Sequence, residues 1–67
     1  MLAITVNGDL KRIPSTLSLA DFLSDLGLDP KKVAVERNLE IVPKSTYAMV
    51  EIGEGDTLEI VHFIGGG

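Results

Sequence analysis

The chain has 67 residues, a net charge of −4, no cysteine, one histidine and 45% hydrophobic residues. That length gives one domain with a small core, and without cysteine neither a disulfide nor a Cys-type zinc site supports it. The acidic balance argues against nucleic acid as a partner, because phosphate contacts need Lys and Arg, and favours a basic protein surface.

The opening "MLAITVNGD" turns polar too soon for a signal peptide, and no apolar run approaches the ~20 residues of a membrane span. A cytoplasmic protein with no membrane partner is expected. Leu2, Ile4 and Val6 alternate with Ala3 and Thr5, the period of a half-buried strand. Asn7-Gly8 then predicts a hairpin turn, since both residues tolerate positive φ. The return strand runs through Leu10 to Ile13 and stops at Pro14, which lacks an N–H.

Leu19, Phe22, Leu23 and Leu26 change the period to i, i+3, i+4, i+7 and predict a helix of about two to three turns. Ser18 followed by Asp21 fits an N-cap, and Gly27 with Pro30 beyond it marks the end. "VAVERN" reads as a strand with Val33 and Val35 on one face, and "EIVP" as a short strand stopped by Pro43. Lys44 to Met49 lack alternation and suggest a helical turn with Ser45 as a candidate cap. "GEGD" is a turn, and "TLEIVHFI" is the longest strand. One amphipathic helix needs one apolar surface, and one sheet offers it. The predicted fold is therefore α+β, a ubiquitin-like β-grasp: a mixed sheet with one helix packed across it, in a single domain over residues 1–67.

Chemistry inside the chain is sparse. His62 is the only histidine, so no Cys-His or Ser-His-acid set can be assembled. Its strand parity with Leu58 and Ile60 predicts a packing role over the end of the core, and Tyr47 is likewise expected to pack. The same alternation leaves Glu59, Val61 and Phe63 on the opposite face, which makes Val61 and Phe63 a candidate partner surface. "GEGD" leads into a strand rather than a helix, so it is no phosphate loop.

The three glycines that follow the last strand admit two readings. Gly65, Gly66 and Gly67 have much backbone freedom to lose and are cheaply left disordered, so they are expected to be a flexible tail. They also form a slender arm about 10 Å long that ends in the Gly67 carboxylate. That group is ionised at neutral pH, since a chain-terminal carboxyl ordinarily titrates at about 3.3–3.7. It reacts as an acyl donor only after activation, for instance by AMP. The chain has no nucleotide site of its own, so an activating partner would have to supply it.

"VNG", "VAVERN", "EIVP" and the closing "EIVHFIGGG" resemble the ThiS-type sulfur carriers of thiamin biosynthesis, relatives of ubiquitin. The chain departs from that pattern at Leu39, where glycine is frequent, and at Lys44, where arginine is. The resemblance implies that a ThiF-like adenylyltransferase uses ATP to adenylylate Gly67, with no cofactor bound by the carrier itself. Sulfur delivered through a cysteine desulfurase would displace AMP and leave a thiocarboxylate, and a ThiG-like thiazole synthase would accept the sulfur. Gly65 and Gly66 would enter the partner's active site, and the protein would be a co-substrate rather than an enzyme. The same carboxylate chemistry could instead serve molybdopterin synthesis or tRNA thiolation, or make a ubiquitin-like protein modifier. A purely structural interaction domain is the remaining alternative.

Overall fold

The computed structural model describes residues 1–62. Strands β1 (Leu2–Val6) and β2 (Asp9–Ile13) form the predicted hairpin, with Leu2 opposite Ile13 and Val6 opposite Asp9. Asn7 and Gly8 join them at φ 49° and 86°, the left-handed pair whose twist matches that of the flanking strands. Ile4 and Val6 are buried, whereas β2 is exposed except at Ile13.

A two-residue strand, β3 (Leu17–Ser18), runs directly into helix α1 (Leu19–Asp25). The Ser18 hydroxyl accepts the Asp21 N–H at 3.1 Å, which satisfies one of the unpaired donors of the first turn. Leu19, Phe22 and Leu23 are buried. Leu26 is not on that buried face, contrary to the spacing. The helix ends at Asp25, Leu26 occupies the C-cap, and it is 37% exposed. Gly27 turns the chain at φ 82°, with its N–H bonded to Ser24 and the Leu28 N–H to Leu23. This is the hydrogen-bond pattern of a Schellman motif, and it brings Leu28 back onto the core in place of Leu26.

A 3₁₀ turn over Pro30–Lys32, capped by Asp29, precedes β4 (Val33–Arg37), which buries Val33 and Val35. Asn38 and Leu39 turn it into β5 (Glu40–Ile41). Leu39 stands at φ 71° and is 86% exposed, which explains why glycine suits the position. A left-handed leucine costs about 1–2 kcal/mol and here gains no burial in return.

The helical turn expected after Pro43 is a 3₁₀ turn, Lys44–Thr46. Ser45 is not its cap; it lies within the turn, and Pro43 holds the N-cap position without a side-chain bond. Tyr47 packs as predicted, 3% exposed, and its hydroxyl donates to the Val33 carbonyl at 3.1 Å. Burial raises the phenol's pKa, against a backbone hydrogen bond at Val35 that acts the other way.

Strand β6 (Glu51–Ile52) pairs with β3 as a small second sheet, which the sequence pattern does not reveal. The main sheet is completed by β7 (Thr57–His62) in the order β2-β1-β7-β4-β5. Only β1 and β7 run parallel; the other neighbours are antiparallel. A mixed sheet with one helix packed on it is the β-grasp arrangement. The buried apolar cluster spans Ile4 to Leu58 and seals helix to sheet.

Candidate functional site

Strand β7 is the central strand of the sheet and leads in sequence into the glycines. Its start is held by Asp56, which is 8% exposed. One Asp56 carboxylate oxygen accepts Arg37 Nε at 3.0 Å and the Gly53 N–H at 2.8 Å, and the other accepts Asn38 Nδ2 at 3.1 Å. Asn38 also accepts the Thr57 N–H at 2.9 Å. The turn before β7 is thereby tied to the β4–β5 turn. Burial by itself raises the Asp56 pKa. Hydrogen bonds from Gly53, Asn38 and Arg37, with the charge of Arg37, outweigh it and leave the carboxyl below its ordinary value.

The parallel pairing with β1 is short: Thr5 opposite Thr57 and Val6 opposite Leu58. Both ends are finished by side chains. Glu54 Oε1 accepts the Ala3 N–H at 2.9 Å while the Gly55 N–H reaches the Ala3 carbonyl at 2.8 Å. At the other end the Asn7 amide meets both backbone groups of Ile60. Its Oδ1 accepts the Ile60 N–H at 2.7 Å, and its Nδ2 donates to the Ile60 carbonyl at 3.2 Å.

Alternation along β7 places Leu58 in the core and Ile60 partly against it, with Glu59 and Val61 exposed on the outer face. Val61, 62% exposed, pairs with Ala34 of β4. Ile41 belongs to the same face because it stands opposite the exposed Glu36, and it is 77% exposed. Ala34, Ile41 and Val61 line a shallow groove rimmed by Glu36 and Glu59. These two carboxylates face each other directly across the β4–β7 ladder, a like-charge pairing that is unfavourable without a cation nearby.

Val61 is thus where the alternation put it, and Ile41 is the neighbour the sequence reading missed. Reading Asn38-Leu39 as a two-residue hairpin would have placed it there. Phe63, Gly65, Gly66 and Gly67 lie outside the described residues. His62 does not cover the core: inward burial along β7 falls from Leu58 to Ile60, and His62 is exposed. The parity was right, but the strand outruns its cover. Among the described residues no group of His, Asp or Glu comes together to hold a metal, and no helix is long and apolar enough to cross a membrane.

Comparison with known proteins agrees with this architecture. A crystal structure of the thiamine biosynthesis protein ThiS from Geobacter metallireducens superposes with a TM-score of 0.85 at 29% identity, covering 98% of this chain and 100% of that one. The sulfur carrier protein ThiS of Bacillus subtilis is 45% identical over 96% of this chain and 98% of its own length. A thiazole synthase of Paramagnetospirillum magneticum is 52% identical over 98% of this chain, which spans only 20% of that protein. The sequence profile of the ThiS family matches residues 4–67. Since that match takes in all but the first three residues and the β-grasp sheet agrees with it, the chain belongs to the ThiS family.

Proposed function

We propose that the protein is a sulfur carrier of thiamin biosynthesis that works in the cytoplasm through the carboxylate of Gly67. The carboxylate attacks the α-phosphorus of ATP in the active site of a ThiF-like enzyme, releasing pyrophosphate and forming an acyl-adenylate. A thiol reductant releases hydrosulfide from the persulfide that a cysteine desulfurase supplies, and the hydrosulfide then adds to the carbonyl carbon. The C–S bond forms, the bond to AMP breaks, and a thiocarboxylate remains for a ThiG-like thiazole synthase to use. Gly65 and Gly66 carry no side chains to obstruct a narrow active-site channel. The observation that carries this reading is the end-to-end likeness to a Bacillus subtilis protein named as a sulfur carrier. The stretch of a thiazole synthase that resembles this chain favours the thiamin branch over molybdopterin synthesis, tRNA thiolation or protein modification.

Intact-mass analysis after incubation with the activating enzyme, ATP and a sulfur source tests it. The expected product has one oxygen of Gly67 replaced by sulfur. Recovery of the unmodified chain, or of a conjugate to target lysines, would count against the carrier reading.

The outer face of β4, β5 and β7 is the docking surface in this scheme. Its apolar groove and facing carboxylates suit a partner that brings an apolar side chain flanked by Lys or Arg. Val61→Asn is expected to weaken binding to the activating enzyme about tenfold, the loss of a buried apolar contact worth about 1.4 kcal/mol. Because Val61 is exposed, the thermal midpoint should hardly move. Titration calorimetry with unchanged affinity would remove Val61 from the interface.

A further inference from the structure

Strand β7 takes its alignment on the β1 side from an element that cannot follow it. Along this seam the Thr5 N–H donates to the Asp56 backbone carbonyl and the Asn7 N–H to the Leu58 carbonyl, both at 2.9 Å. A parallel ladder would continue to Ile60, but at Asn7 the chain swings to φ 49° and leaves for β2. The Asn7 carboxamide takes over at that point. It presents an N–H donor and a carbonyl acceptor side by side in one plane, as a peptide group does, and pairs with both backbone groups of Ile60. Ile60 is three residues before Phe63, the first residue beyond the described chain. On the β4 side the same stretch is paired through Ala34–Val61 and Val33–His62.

We infer that Asn7 is a positioning residue for the carrier reaction. It extends the β1–β7 ladder by one side chain and fixes the direction in which β7 delivers the glycine segment. A turn former alone would need only the left-handed backbone, which glycine supplies as well. What glycine does not supply is the two-point hold on Ile60. With β7 held from both neighbours, the carboxylate enters a partner's site from a defined origin, and less alignment is left to chance on binding. This role rests on the carrier reading above and assigns a second duty to a residue whose first is the hairpin turn.

Asn7→Gly separates the two duties, since it keeps the turn and removes the carboxamide. Asn7→Asp is the second variant. It tolerates the same backbone and keeps the acceptor for the Ile60 N–H, but sets a carboxylate oxygen against the Ile60 carbonyl. Hydrogen exchange at the Ile60 amide is expected to accelerate at least about tenfold in Asn7→Gly, with the amides of β2 unaffected. ATP–pyrophosphate exchange with the cognate activating enzyme, measured well below the melting temperature, should show kcat lowered about fivefold in both variants. KM should stay within about twofold, because the groove of Ala34, Ile41 and Val61 is untouched. If the unaltered protein supports exchange and Asn7→Gly matches it in kcat, the positioning role is overturned while the carrier reading stands. If the unaltered protein supports no exchange, the carrier reading fails and the positioning role fails with it. Unchanged exchange at the Ile60 amide would by itself show that Asn7 does not hold the strand.

Discussion

Deleting Gly66 and Gly67 is expected to abolish formation of the acyl-adenylate while leaving the thermal midpoint within about a degree of the full chain. Among the described residues, the buried apolar cluster runs to Leu58 with Ile60 packed against it, and β7 is anchored through the Asn7–Ile60 hydrogen bonds and its pairing to β4 as far as His62. Truncation therefore removes nothing that these interactions use. It moves the terminal carboxylate back by two residues, up to about 7 Å of extended chain, far more than an active site tolerates. Misplacement of about 1 Å is enough to cost 10²-fold, so pyrophosphate exchange should fall to background. Gly66→Val tests access rather than reach. The carboxylate keeps its place in the chain, but a β-branched side chain stiffens the backbone and widens the arm. A loss of exchange in both variants with unchanged melting assigns the glycines to the chemistry. Full activity in the truncated chain would overturn the carrier proposal.

The fold was legible wherever a period ran long enough to register. β1, the turn at Asn7-Gly8, the Ser18 cap and the stop at Gly27 each follow from a local rule that the structure obeys. β3 and β6 were invisible because two residues cannot show alternation; their pairing depends on the loop that brings Leu17 opposite Ile52. Leu26 was misplaced because the spacing rule assumes the helix continues, whereas the turn at Gly27 ends it and substitutes Leu28. The outer position of Val61 followed from period two alone, but the groove it lines needed the register that sets Ile41 opposite Glu36. Asn7 illustrates the sharper limit. Its turn conformation was readable from the following glycine. The pairing of its carboxamide with Ile60, fifty-three positions away, exists only once β1 and β7 lie side by side.

Asp56 is expected to make the largest polar contribution to stability, and that contribution should vanish in acid. Its carboxylate is nearly buried and gathers Arg37, Asn38 and the Gly53 amide around one point between two turns. Asp56→Asn turns one acceptor oxygen into a donor that faces other donors, so at neutral pH a loss of about 2–3 kcal/mol is expected. The pH dependence follows from the depressed folded-state pKa. As pH falls, the unfolded chain takes up its proton first, near the ordinary carboxylate value of about 3.9, while the folded protein still holds the charge. The stabilisation is therefore complete above that value and is lost as pH drops towards the folded-state value. Denaturant melts from neutral pH into the acid range should show the gap between the unaltered protein and Asp56→Asn closing below about pH 4. A gap of constant size would show that shape, not charge, accounts for the defect. Asn38→Gly keeps the left-handed turn and removes one bond to Asp56 and one to the Thr57 amide, so it should cost less, about 1–2 kcal/mol. All these contacts lie at the start of β7, at the opposite end from the glycines. Adenylate formation per folded molecule should accordingly be unchanged in both variants, because the strand's far end is held independently by Asn7 and β4.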